Sequence, residues 1–185
     1  MHPRPTPIAL AFTLVTLATS ACGTTTAQRE PDQYLGCGTD ENWRTLDDFE
    51  TSNRVKKDAA LAPKLTAPTP GALTQKPRFT WDLSSSAAGQ PNGTAVCDAC
   101  ARCGQLGPAH QDAVSGDLYD LHFVATGTLI WRALTTQQYL DVTDDLWAAL
   151  RGKAFTLRIV RAGLKVNDVA DGPFEPLAPI AFTAN

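Results

Sequence analysis

Along this 185-residue chain the apolar positions follow three different rules. Residues 8–18 are apolar almost without interruption, residues 23–36 show no period, and from Ala62 onward apolar and polar residues alternate in short stretches. Alternation with a period of two is the pattern of a strand with one buried face. It predicts Phe79, Trp81 and Leu83 on one face of a strand over residues 77–83, and Tyr119, Leu121, Phe123 and Ala125 on one face over residues 118–125. Gly127 separates that second strand from residues 128–136, as in a hairpin. Further strands are expected at residues 139–142, at 154–161 with Phe155, Leu157 and Ile159 together, and at 180–182. Residues 62–71, rich in proline, read as an edge strand ending in a turn, because proline donates no hydrogen bond to a ladder.

Two segments carry a helical signature instead. Trp43, Leu46 and Phe49 recur at i, i+3 and i+6, which predicts a short amphipathic helix or turn capping the domain, with Trp43 packing against it. Residues 143–150 read as a helical turn with Thr143 as N-cap and Asp144 and Asp145 in its first turn. Many short strands with turn chemistry between them, and no alternating helices, indicate an all-β sandwich.

The apolar run at residues 8–18 differs from every other segment. About eleven residues of helix rise only some 16 Å, roughly half the hydrocarbon thickness, so the run is too short to stay as a membrane span. It follows Arg4 and precedes the small residues Thr19, Ser20 and Ala21, the order of a secretory signal. Cys22 comes next. Together these residues resemble the lipobox of bacterial lipoproteins, although Thr19 stands where that pattern has Leu. The resemblance implies a signal peptide over residues 1–21, with Cys22 acylated by palmitate-type chains as the mature N-terminus. A lipidated flexible tether would then cover residues 22–36, and Gly23 in the second mature position implies the outer membrane. The alternative is an ordinary signal cleaved after Ala21, leaving Cys22 as a thiol.

Removing residues 1–21 takes away one basic residue and leaves 15 Lys and Arg against 19 Asp and Glu, a formal net charge of −4. That balance argues against nucleic acid or an anionic lipid surface as a partner. With Cys22 assigned to the lipid, four of the five cysteines remain: Cys37, Cys97, Cys100 and Cys103. An even number in an exported chain points to disulfides, in any of three pairings. Three of the four lie in residues 84–117, an insertion far longer than an ordinary loop. Cys-x-x-Cys spacing also suits a metal, with Cys37 or His110 completing a set, but no second zinc-ribbon knuckle follows and no cofactor is expected. A thioredoxin-like role for Cys97 and Cys100 lacks the strand-to-helix setting it needs.

Other constellations are explained more simply by structure. His122 alternates with Leu121 and Phe123, which places it on the solvated face of its strand. Asp141, Asp144 and Asp145, or Asn167, Asp168 and Asp171 before Gly172, could offer oxygen to calcium, yet neither follows an EF-hand loop. Asn92-Gly-Thr94 matches a glycosylation sequon and reads as a turn. No hydrolase, zinc-protease or phosphate-loop motif is present, and no general base accompanies a nucleophile, so no catalytic residue is assigned.

The order Pro63-x-Leu65-x-x-Pro68-x-x-Gly71, Pro77-x-Phe79-x-Trp81, Tyr119-x-Leu121-x-Phe123 and Trp147-x-x-Leu150-x-Gly152-x-x-Phe155 resembles a fibronectin type III or related Ig-like module. Phe155 stands where that family commonly carries Tyr. The resemblance covers residues 60–185 and implies a display or binding scaffold, with residues 37–59 as an N-terminal capping segment. The expectation is a non-enzymatic cell-envelope lipoprotein, joined to the membrane by its lipid and to an envelope protein or polysaccharide by its sandwich. The competing expectation is a metal-binding or redox-active lipoprotein that uses Cys97, Cys100 and Cys103.

Overall fold

The computed structural model describes residues 29–83, 96–97 and 114–185. Its strands are β1 (Gln33–Leu35), β2 (Lys56–Lys57), β3 (Pro63–Ala67), β4 (Gly71–Leu73), β5 (Arg78–Leu83), β6 (Val96–Cys97), β7 (Val114–Ala125), β8 (Thr128–Thr135), β9 (Tyr139–Asp141), β10 (Ala154–Lys165), β11 (Asp168–Glu175) and β12 (Ile180–Ala184). Two helices interrupt them, α1 (Asp40–Thr51) and α2 (Asp144–Leu150). Among the described residues no helix is long and apolar enough to cross a membrane.

The strands form two sheets. The smaller has the order β3-β5-β9, and the larger runs β1-β8-β7-β10-β11-β2, with β12 joining β10 to β4 and β6 pairing with β7. Twelve residues make β10 long enough to take two partners on one edge: β12 along Ala154–Leu157 and β11 along Arg161–Lys165. Its other edge pairs with β7 from Thr156 to Leu164.

Between the sheets lies the main core. Phe79 and Trp81 of β5 and Leu140 of β9 meet Tyr119, Leu121 and Phe123 of β7, Phe155, Leu157 and Ile159 of β10, and Phe182 of β12. The residues that alternation assigned to one face of each strand are therefore the ones that interdigitate. Trp81, 1% exposed, meets the Tyr119 ring edge-on at 5.3 Å. Phe155 stacks on Phe182 at 5.5 Å. Helix α2 starts where expected, with the Thr143 side chain accepting from the Leu146 amide at 3.2 Å, and buries Leu146 and Leu150 at the edge of this core.

A third layer covers the other face of the larger sheet. Thr39 caps α1 by accepting from the Asn42 amide, and Asp40 and Glu41 place negative charge at the helix's positive end. The buried stripe is Asn42, Trp43, Leu46 and Glu50. Trp43 and Leu46 pack on Val114, Leu118, Leu134, Ala162 and Leu164, forming a second apolar cluster. Phe49, expected on the same stripe, is only partly buried and lies under the Arg54 guanidinium. Asn42, fully buried, donates at 3.0 Å to Asn167 Oδ1, which also accepts from the Val114 amide at 2.7 Å. The start of α1 is thus pinned to the turn between β10 and β11.

Three differences from the sequence reading matter. Gln33–Leu35, placed in the tether by its lack of periodicity, pairs in parallel with Ala133–Thr135. Tyr34 packs on the second apolar cluster and Leu35 on the main core, so three residues hold it with no period to announce it. Strand β7 begins at Val114, four residues earlier than alternation suggested, inside the segment assigned to the insertion. Asp168–Glu175 is a strand although Asn167, Asp168, Asp171 and Gly172 had the composition of a turn. Its irregularity explains this, since the pairing with β10 shifts register around Gly163.

Candidate functional site

The polar side chains of the larger sheet that alternation pointed outward converge beneath the second half of α1. Register places Arg132 of β8, His122 of β7 and Arg158 of β10 side by side in one row across three strands. Asp120 lies two residues before His122 on the same face. From above, α1 contributes Glu50 and Asp47, and β11 contributes Glu175.

Arg132 and Asp120, both 0% exposed, are the centre of this cluster. Arg132 Nε donates to both Asp120 oxygens at 3.0 Å, and Nη2 donates to Asp120 as well. The same guanidinium reaches Glu50 Oε2 at 3.3 Å and donates from Nη1 to the Arg29 carbonyl at 3.2 Å. Its main-chain amide donates to Asp32 Oδ2 at 2.9 Å. Arg158 approaches Glu50 Oε1 at 3.1 Å and donates through Nε to Glu175. One arginine thus ties the N-terminal segment, α1 and β7 together, and the other ties α1 to β11.

Burial alone would raise the Asp120 carboxyl, but His122 and Arg132 outweigh it and hold the group well below the usual carboxylate range. Glu50 goes the other way. Its burial, with Asp120 nearby, pushes its carboxyl up despite the opposing cations. Arg132 is raised because the surrounding carboxylates overcome its own desolvation.

Sequence reasoning placed His122 on a solvated face; it is 7% exposed. The strand alternation was right, and the solvent on that face is replaced by α1. The available signal was a matched set: ionic residues at three positions of adjacent strands, and Glu50 on the buried stripe of a helix.

Glu50, Asp120 and His122 bring ligand-type atoms within 4.8 Å of one another. Their hydrogen-bonding pattern does not suit a cation. Arg158 Nη1 lies 3.2 Å from His122 Nδ1, and a guanidinium can only donate, so Nδ1 must accept. That places the imidazole proton on Nε2, the atom that faces the carboxylates, and removes the lone pair a metal would need. Two guanidiniums already neutralise the same oxygens. The cluster instead has the makings of a proton site: Nε2 lies 3.1 Å from Asp120 Oδ1 and 3.8 Å from Glu50 Oε1, aligned as a hydrogen bond with neither. Its burial closes it to a substrate.

Of the other residues singled out from sequence, none of the described ones joins this cluster. Cys22, Cys100, Cys103, His110 and the Asn92-Gly-Thr94 sequon fall outside the described residues, and only the backbone of Cys97 is described, in β6. Cys37 borders the second apolar cluster, accepts no role as a free thiol, and its amide donates to Thr136 Oγ1 at 3.1 Å. The acidic candidates are engaged separately: Asp141 pairs with Arg78 at 2.6 Å, Asp144 with Lys76 at 2.6 Å and Asp171 with Arg161 at 3.0 Å. Asp141 and Asp144 do not join one ligand set.

Beyond the end of α1 the outer face of the larger sheet is open. Gly71, Val124, Thr156, Ala181 and Thr183 line a shallow depression there with no titratable side chain. A second depression, over the exposed side of α1, is lined by Asp40, Glu41, Arg44, Thr45 and Asp48. Comparisons with protein-family models, with curated proteins and with solved structures found no match.

Proposed function

We propose that this protein is a lipid-anchored cell-envelope component whose β-domain acts as a non-enzymatic structural or protein-binding module. The observation that carries the reading is the apolar run at residues 8–18, ended by Thr19-Ser20-Ala21 and Cys22. Its lipobox-like order supports acylation of Cys22, and Gly23 supports the outer membrane as the destination. The domain adds support of its own. Its buried ionic residues Glu50, Asp120 and Arg132 are engaged in holding α1 to the sheet.

The strand order supports an Ig-like or fibronectin type III-like sandwich. β3, β5 and β9 facing β8, β7, β10 and β12 correspond to A, B and E facing C′, C, F and G. Phe155, where the family commonly has Tyr, keeps the packing through Phe182 and forgoes the hydroxyl's bond. The bonded state of Cys37 supports a disulfide framework for the remaining cysteines rather than a thiolate metal or redox centre.

Replacing Cys22 by Ala is expected to move the protein from the membrane to the soluble fraction, because two or more acyl chains at about 0.8 kcal/mol per buried methylene would be the main attachment. An unchanged membrane fraction removes the anchor from the proposal. Cross-linking in intact envelopes then identifies the partner, and zinc or iron recovered with four free thiols would favour the metal-binding alternative.

A further inference from the structure

We infer that α1 is a proton-sensitive cover on the outer face of the larger sheet, docking more tightly as pH falls toward the range in which glutamates take up protons. The groups facing one another are Glu50 and Asp47 from α1, Asp120 and His122 from β7, Arg132 from β8, Arg158 from β10 and Glu175 from β11. Arg29 and Asp32 of the N-terminal segment pair with each other beside them. Four carboxylates thus face two guanidiniums and one imidazole, and docking α1 buries Glu50 beside Asp120 within this excess of negative charge. Binding one proton relieves it.

The carboxyl of Glu50 is placed to take that proton. Glu50 Oε1 and His122 Nε2 are both buried without an aligned hydrogen bond, and they lie 3.8 Å apart. The His122 ring already holds its proton on Nε2 because Arg158 occupies Nδ1. A proton on the Glu50 carboxyl leaves its other oxygen to accept from a guanidinium, Arg132 at Oε2 or Arg158 at Oε1. Burial raises the Glu50 carboxyl in the docked state, consistent with this assignment. With α1 undocked, Glu50 is solvated and titrates near its ordinary value. The sign follows from linkage: the state with the higher affinity for the proton is favoured as pH falls, so acidification through the docked-state value stabilises docking and alkalinity weakens it. The core between the two sheets contains no residue of α1, so the sandwich itself need not open.

Hydrogen exchange measured on the whole protein, corrected for the intrinsic pH dependence of exchange, reads this directly. Amides of Asp40–Thr51 should be several-fold better protected at about pH 5 than at about pH 8, the gain growing by up to tenfold for each unit by which the docked Glu50 value lies above the lower pH. Strands β5 and β7 should show no comparable change. Glu50→Gln, which carries a permanent neutral amide, should abolish the difference. Equal protection at the two pH values in the native protein, or a difference that survives in Glu50→Gln, overturns the inference. If Glu50→Gln does not fold, the carboxyl-carbon titration of Glu50 in the native protein decides: a midpoint raised above the ordinary glutamate range supports the cover, and an ordinary midpoint overturns it.

Discussion

The two faces of the larger sheet are built from the same strands and held by opposite chemistry. On the inner face, Tyr119, Leu121, Phe123, Leu157 and Ile159 bury apolar area against the smaller sheet. On the outer face, one residue along each strand, Asp120, His122, Arg132 and Arg158 meet α1 through charge. Apolar burial is additive and tolerant of direction, at roughly 25 cal/mol per Å² removed from water. A buried ionic cluster is neither. Desolvation costs several kcal/mol per ion, attraction roughly returns it, and what remains is a strong penalty for any partner left alone. The inner face therefore supplies most of the stability, whereas the outer face dictates where α1 and the N-terminal segment must lie.

The sharpest way to break the inner face is Trp81→Ala. The side chain is 1% exposed and packs on Tyr119 between the sheets, so its loss is expected to cost about 3 to 5 kcal/mol through lost burial and the cavity left behind. Thermal or urea unfolding measures it; a midpoint equal to that of the native protein would mean that Trp81 does not belong to the core.

Breaking the outer face should cost nearly as much by a different route. Arg132→Met leaves Asp120 and Glu50 buried without their shared cation, at about 3 kcal/mol or more. The double variant Arg132→Met with Asp120→Leu removes both charges of the innermost pair and is expected to recover a good part of that loss. Trp81→Ala has no such rescue. If the double variant is as unstable as the sum of its singles, the outer face is stabilising in the same sense as the inner one, and the contrast fails.

The same contrast explains what was legible in the sequence. Most strands that face the main core were visible, because Phe79 and Trp81, or Leu121 and Phe123, stand alternately with polar neighbours; β4, which adds Leu73 to that core, was read as a turn. Helix α2 was visible through Thr143 and its acidic first turn. The outer face was not. A sequence shows that Asp120 and His122 share a face, but only the placement of a distant helix tells whether that face meets water. Glu50 illustrates the difficulty from the other side, since a glutamate four residues after Leu46 reads as a polar position and turns out to lie in the buried stripe. Gln33–Leu35 was hidden for a third reason, because neighbouring Tyr34 and Leu35 pack on different clusters and so few residues show no period. The anchor and the cysteine insertion rest on sequence alone, since Cys22, Cys100 and Cys103 lie outside the described residues.

Acid should separate the two faces. The Asp120 carboxyl is depressed in the folded chain, whereas in the unfolded chain it titrates near its ordinary value of about 3.9. Its contribution is therefore fully present above that value and is lost as pH falls below it toward the folded-state value. Below about pH 4 the α1 layer is expected to loosen while the apolar face, which titrates nothing, holds the sheets together. Exchange of Asp40–Thr51 should rise there before exchange of Arg78–Leu83. Simultaneous loss of both would show that the layers unfold as one unit.

The helix caps give the smallest and most local test. Thr39 opens α1 on the ionic face, and Thr143 opens α2 on the apolar one; each side-chain oxygen accepts from the amide three residues ahead, at 3.4 and 3.2 Å. Either Thr→Ala change removes one cap at about 1 kcal/mol. The consequences should nevertheless differ. Leu146 and Leu150 belong to the main core, so Thr143→Ala is expected to lower global stability by the full amount. Thr39 also donates to Asn42 Oδ1 at 2.9 Å, and Asn42 pins α1 to the turn at Asn167, so Thr39→Ala should act chiefly by easing local opening of α1. The measurement is a comparison of unfolding midpoint with amide exchange in each variant. Equal losses of midpoint, with α1 exchange no faster in Thr39→Ala than global unfolding allows, would show that α1 is as much a part of the cooperative core as α2.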